Sequence, residues 1–316
     1  PWTLLDDQGR AVFRAVVSFL DHRLSERGAI EWALRLVASQ RVERLAVGYL
    51  LDAERGHSLT QPWATAWRFI EESWAAPEIE EGASTEIYSI ERRLRNGDRS
   101  GTVISAIVNL VRPSLKVESR GSSLDRSEGR LGKPKSVEDL LSAKLTSGRL
   151  VQLHLLDLQN ISDITFLSTL ARSLDSAVDQ GLDVARRLGW DEKENFWWLG
   201  DLGRAYYLLS QDRDPDDEAT DPDKYHRGIA PSVKLLHAVV SRIAALESAS
   251  ALPIVRQWTQ NGSGVHRRLW ASSARDSSLA TGSEVATFLL GLDDLSFWDV
   301  RKFPEVAGLR AARGAH

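Results

Sequence analysis

The spacing of apolar residues constrains this chain more than any other feature. Phe13, Val16, Val17, Leu20 and Leu24 recur at helical intervals and so share one face of a helix. Leu167, Leu170, Leu174, Val178 and Leu182 repeat the pattern over a longer segment, and Val233, Leu236, Val240 and Ile243 repeat it again. Long alternating runs of apolar and polar residues, the mark of a half-buried strand, are scarce. The best strand candidates are Val151 to Leu156 and the stretch near Leu115 to Val117, either of which could also be helix or extended linker. Helices that are apolar on one side bury that side by packing as antiparallel pairs. The expected fold is therefore mainly α, a bundle or an irregular HEAT-like solenoid of helical pairs, with little or no sheet. No repeat of fixed period is visible, so a tetratricopeptide or ankyrin array has no support.

Local signals divide the pattern into elements. Ser136-Val137-Glu138-Asp139 and Asp191-Glu192-Lys193-Glu194 each offer a capping oxygen with a carboxylate three residues on. Pro231 suits a first helical turn, where its missing N–H costs nothing. Arg112-Pro113 should end the preceding helix. Gly97-Asp98-Arg99-Ser100-Gly101 reads as a tight helix–helix turn with Ser100 capping the next helix. Ser119 to Lys135 is rich in Ser, Gly and Arg and reads as an exposed linker or loop. Gln211 to Lys224 is a second break, acidic and with two prolines. The expected division is an N-terminal helical lobe at 1–118, a linker at 119–135 and a C-terminal helical lobe at 136–316.

Composition sets the outer limits. With 316 residues, 42% of them apolar and 27% charged, a core and a solvated surface are both available. The net charge of -4 rules out a generally basic coat but leaves room for a local basic patch. The absence of cysteine removes disulfides, thiolate zinc sites and a thiol nucleophile. No apolar run has the length of a membrane span, and Pro1-Trp2-Thr3-Leu4 lacks the basic start of a signal peptide. The expectation is a cytoplasmic protein with no membrane association. The chain contains no methionine, which fits either a removed start residue or a piece of a longer protein.

Several segments come close to motifs that carry chemistry. Gly129-Arg130-Leu131-Gly132-Lys133-Pro134-Lys135-Ser136 resembles a phosphate loop, but Ser127 stands where its first glycine belongs and Pro134 where its hydroxyl residue belongs. The histidines form no helix-borne zinc pair. His237 falls on the apolar face of its helix and reads as a core histidine. His226 and Arg227, just before a helix, form a candidate polar functional site, since imidazole titrates near neutrality. Asp221 and Asp223 are carboxylates close to His226 in sequence. Glu71 and Glu72 are adjacent on a helix and diverge by about 100°, a poor catalytic pair. Arg92, Arg93, Arg95 and Arg99 crowd one helix end and are candidate nucleic-acid contacts, although Glu91 can pair with Arg95 along the helix. Of the 11 tryptophans, Trp63, Trp67 and Trp74 share helical spacing. Phe196, Trp197, Trp198, Tyr206 and Tyr207 cluster elsewhere and read as core aromatics. No catalytic residue, cofactor-binding residue or metal ligand is assigned.

Three segments carry a resemblance. They are Arg227-Gly228-Ile229-Ala230-Pro231-Ser232-Val233-Lys234-Leu235-Leu236, then Val265-His266-Arg267-Arg268-Leu269-Trp270, then Phe297-Trp298-Asp299 followed by Phe303-Pro304-Glu305-Val306-Ala307. They resemble helical regions near the C-termini of large bacterial anti-phage defence proteins, in which a sensor array is joined to an NTPase or effector domain. The resemblance implies recognition of a foreign component and relay to an effector carried elsewhere. The same residues lead to an expected helical pair of Val265 to Trp270 and Phe297 to Val306. Trp270 and Trp298 would be its buried anchors, and Trp258 less buried.

The functional expectation is a non-catalytic helical scaffold or sensor module that recognises a protein partner or belongs to a larger assembly. A nucleic-acid binder using the arginines is one alternative. An enzyme whose site is built from distant residues is the other.

Overall fold

The computed structural model describes residues 5–54, 59–75, 84–119, 133–147, 153–190, 228–300 and 303–313. It is mainly α, with thirteen α-helices and one two-stranded sheet among the described residues. No helix among them is long and apolar enough to cross a membrane. The chain forms two compact units, one of residues 1–77 and 115–144, the other of 78–114 and 145–316. This division does not follow the compositional break at 119–135. The strands on either side of that break pair with each other, and residues 120–132 lie outside the described residues.

The first unit holds α1 (Asp7–Leu20), α2 (Arg27–Leu34), α3 (Arg41–Glu54) and α4 (Trp63–Ala75). It also holds most of β1 (Ser114–Ser119) and β2 (Leu141–Thr146). Asp6 starts α1 by accepting from the Gly9 N–H at 2.7 Å. Phe13, Val16 and Leu20 then fall on its buried face, as their spacing requires, and α1 packs against α3. Leu24 is buried beyond the helix end, and its carbonyl accepts from Trp67 Nε1 at 2.8 Å. That bond fixes α4 to the turn that follows α1. Before β2, Ser136 opens a 3-10 turn at Val137–Asp139, and its N–H donates back to Asp139 Oδ2 at 3.1 Å. The expected strand at Leu115 to Val117 lies within β1.

The second unit begins with α5 (Ser84–Arg95) and α6 (Gly101–Val111), followed by α7 (Ile164–Arg187). Gly97 adopts φ +83° in the α5–α6 turn, a conformation that costs other residues more, and Ser100 is the N-cap of α6. Arg112, before Pro113, ends α6. Of the readings open for Val151 to Leu156, the strand is not found where the segment is described. Leu153–Leu156 is a 3-10 turn, and Leu156 reaches the core as part of that turn. The long helix α7 is the centre of the unit. Asp163 caps it through the Phe166 N–H, and Leu167, Leu170, Leu174, Val178 and Leu182 are all buried.

The remaining helices are α8 (Ala230–Leu246), α9 (Ser248–Gln260), α10 (Gly264–Ser273), α11 (Gly282–Leu290), α12 (Asp294–Trp298) and α13 (Pro304–Arg313). α8 lies along α7, with Pro231 in its first turn and Val233, Leu236, Val240 and Ile243 in the core. Its Ser232 hydroxyl donates to the Val111 carbonyl at the end of α6. α10 packs on α9 and α13. Trp270 is buried, with its ring 4.3 Å from that of Phe288.

Two of the expected tryptophan assignments are reversed. Trp298 is 65% exposed, and Trp258 is fully buried. Trp298 ends a helix of only five residues, too short to hold both of its aromatic residues against the core. Its ring lies instead under the Arg310 guanidinium, 4.9 Å away. Trp258 occupies the inner face of α9 together with Ala251, Ile254 and Val255.

Candidate functional site

The first unit carries an open groove of about 880 Å³ between α1 and α3. Phe13, Val17, Leu45 and Tyr49 form its apolar lining, and Arg14, Asp21, Arg44 and Asp52 supply charges of both signs. The rings of Phe13 and Tyr49 meet at 5.5 Å with a 59° tilt. Tyr49 is 57% exposed, and Phe19, on the same helix as Phe13, is 51% exposed. Arg44 is held by a bond from Nη2 to the Leu36 carbonyl at 2.8 Å and by the Trp74 ring. Its Nε is buried and has no hydrogen-bond partner among the described residues. An orphaned buried donor is unusual in a folded protein.

Of the four arginines at the end of α5, three are tied into the surrounding structure. Arg93 pairs with Asp98 at 2.9 Å and donates to the Thr102 hydroxyl at 2.7 Å. Arg95 pairs with Glu91 at 2.7 Å, and its Nε lies 3.9 Å from Asp157. Arg99 donates to the Leu94 carbonyl at 2.7 Å and stacks over Phe166. Arg92 is exposed. The Ser100 hydroxyl and backbone N–H, with Arg93 behind them, hold the Asp98 carboxyl down at about 2. The cluster thus stabilises the α5–α6 turn. His226, Arg227, Asp221, Asp223, the Asp191 cap and the aromatics from Phe196 to Tyr207 lie outside the described residues.

A polar cluster that the sequence did not single out joins α7, α9 and α10. Asp175 and Asp179 stand one turn apart on α7. His266, in the first turn of α10, brings Nε2 to 3.4 Å from Asp175 Oδ1 and 3.7 Å from Asp179 Oδ1. Trp258 Nε1 donates to Asp175 Oδ1 at 2.9 Å. Ser263 is the N-cap of α10. Its Oγ accepts from the His266 N–H at 3.2 Å and lies 2.7 Å from His266 Nδ1. The Asn261 amide approaches Nε2 at 3.3 Å. His266 is fully buried, Asp175 nearly so, and the Asp179 side chain is 49% exposed. Burial, then the neighbouring Asp175 and Asp183 carboxylates, push the Asp179 carboxyl up, while His266 pulls it down.

Ser263, His266 and Asp175 follow one another as hydroxyl, imidazole and carboxylate, the order of a hydrolytic triad. Burial argues against that chemistry. Ser263 is 3% exposed and its oxygen is committed to the first turn of α10, so the hydroxyl is closed to an incoming acyl group. What the arrangement offers is two carboxylates and an imidazole converging on one point, with one side open at Asp179.

Two further buried ionisable features are structural. His237 lies within the core face of α8, where burial and then the Arg275 charge hold its pKa down to about 4, as expected of a core histidine. Arg268 and Glu305 form a buried ion pair between α10 and α13. In the sequence, Asp175 and Asp179 are ordinary helix residues, and only the Asp-x-x-x-Asp spacing hinted at a shared face. No protein-family model, curated protein or solved structure matches this chain.

Proposed function

We propose that the chain is a helical recognition module that binds a protein partner through the groove between α1 and α3. The single observation that carries this is the groove itself, an aromatic-lined channel with charges of both signs. Exposed aromatics beside an open channel between two helices suit the apolar face of an amphipathic partner segment. Because the ring of Tyr49 stays half in water without a partner, its burial would favour binding. The resemblance of the C-terminal segments to sensor regions of anti-phage defence proteins points the same way, toward recognition of a foreign component and relay to an effector. Nucleic-acid contact through Arg92, Arg93, Arg95 and Arg99 has less to stand on, because Arg93 and Arg95 already pair with carboxylates and Arg99 is tied to a backbone carbonyl.

A photo-crosslinking residue at position 49, in the native host, tests the reading. A discrete protein adduct should form, and it should be lost with Val17→Glu, which puts a charge into the lining without touching the buried face of α1. Adduct formation that is indifferent to Val17→Glu would show that the groove is not the binding surface.

A further inference from the structure

We propose that Asp175, Asp179 and His266 form a binding site for a zinc-class divalent cation, with Trp258 and Ser263 orienting the ligands. Asp175 and Asp179, at i and i+4 on α7, project their carboxylates from one face. His266 meets them from α10, and one ligand atom from each residue lies within 4.8 Å of the others.

The donor set selects the ion, and the spacing admits it. Ligand atoms about 2.1 Å from a tetrahedral zinc stand about 3.4 Å apart, and those about 2.1 Å from an octahedral magnesium about 3.0 Å apart. The two imidazole–carboxylate separations are 3.4 and 3.7 Å, a range that calcium, with ligands at about 2.4 Å, would also give. Imidazole is a good ligand for zinc, while magnesium and calcium prefer oxygen throughout. Two carboxylates match the charge of a dication, and the exposed side of Asp179 leaves an entry path and a place for a water as fourth ligand.

The orienting bonds are those that metal sites use. One lone pair of Asp175 Oδ1 accepts from Trp258 Nε1, and the other remains for an ion. When His266 Nδ1–H donates to Ser263 Oγ, the Nε2 lone pair faces the carboxylates and the Asn261 amide, whose 3.3 Å contact an ion would displace. A purely structural polar cluster would explain Trp258 on Asp175 and Ser263 on His266. Asp179 adds a second carboxylate one turn from Asp175, with its Oδ1 3.7 Å from the same imidazole nitrogen. A cation between them offsets the repulsion of the two carboxylates.

The test uses the untagged full chain, stripped with a chelator and titrated with Zn²⁺, and separately with Co²⁺ as a spectroscopic probe. The expected result is one tight equivalent of Zn²⁺ per chain, a raised melting temperature, and visible Co²⁺ bands of four-coordinate intensity. Asp179→Asn keeps the shape of a half-exposed side chain. It should weaken Zn²⁺ binding by at least about tenfold, the loss typical even of an outer partner, with the metal-free melting temperature held or raised. His266→Gln should abolish the Co²⁺ bands. Because His266 is buried and its loss could also unfold α10, the decisive comparison is the one at Asp179. Equal Zn²⁺ affinity in wild type and Asp179→Asn, no stoichiometric uptake by the wild type, or a preference for Mg²⁺ over Zn²⁺ would overturn the proposal.

Discussion

Arg268 and Glu305 meet between α10 and α13 through two parallel bonds, Nε to Oε2 at 2.7 Å and Nη2 to Oε1 at 2.9 Å, with both side chains out of solvent. A buried pair of this kind is costly to break, because the remaining charge is left without water or partner. Arg268→Met and Glu305→Leu should each destabilise the chain by about 3–5 kcal/mol. The double variant, which removes both charges, should recover most of that loss. Urea denaturation of the four proteins gives the answer, and additive single-variant losses would show that the two residues do not act as a pair.

The two tryptophans at the edges of α9 and α12 should respond very differently to truncation. Trp258→Ala empties a fully buried site and leaves Asp175 without its donor, so a loss of about 3–5 kcal/mol is expected. Trp258→Phe keeps most of the volume and should isolate the hydrogen bond to a carboxylate, about 1.5–3 kcal/mol. Trp298→Ala, at a side chain 65% exposed, should cost under about 1 kcal/mol. Thermal melts of the three variants order them, and a large loss at Trp298 would contradict the exposed position.

Gly181 is a test of close packing. It lies within α7, where alanine would normally be favoured by about 1 kcal/mol. A methyl group there would stand 2.8 Å from two carbons of the Pro113 ring. Overpacking of that kind costs about 1–3 kcal/mol, so Gly181→Ala should be neutral to destabilising rather than stabilising. Denaturant midpoints for the two proteins decide the sign.

His237 predicts a pH dependence. Its pKa is held down to about 4 in the folded chain against 6.5 for an unhindered imidazole. The unfolded chain therefore takes up the proton first, and stability is lost as the pH falls from 6.5 toward 4. Above that window the group contributes nothing. The full effect is about 3 kcal/mol. In His237→Leu the fall in stability between neutral pH and pH 4 should be correspondingly smaller. Unfolding free energies measured across that range check it, and parallel curves for the two proteins would refute the assignment.

The fold was legible where one helix face governed the sequence. The buried stripe of α7 and the core positions of α8 follow directly from apolar spacing, and the ends of α6 and α8 from Pro113 and Pro231. The candidate cation site was not legible, because its three residues join only when α10 docks against α7, some 90 residues away by chain number. Asp175 and Asp179 look like the polar side of α7 until His266 arrives. The groove was hidden for a related reason. Val17 and Tyr49 belong to separate periodic stripes, and only the packing of α1 on α3 decides which members stay uncovered. Trp298 shows the opposite error, a large apolar residue assumed to be inside although its helix is too short to carry it there.

The first unit is assembled from two stretches of chain, 1–77 and 115–144, with 78–114 belonging to the other unit. That arrangement has a consequence for synthesis. As the chain leaves the ribosome, α1 to α4 emerge well before β2 at Leu141–Thr146, and β1 has no partner until then. An unpaired strand edge is an invitation to wrong pairing. A transcript cut, or a ribosome stalled, between the two strands would release N-terminal helices that lack the Val137–Asp139 turn beside α4 and the second strand of the sheet. Expression of this unit by itself therefore requires both stretches, and a boundary drawn after β1 would produce an incomplete body.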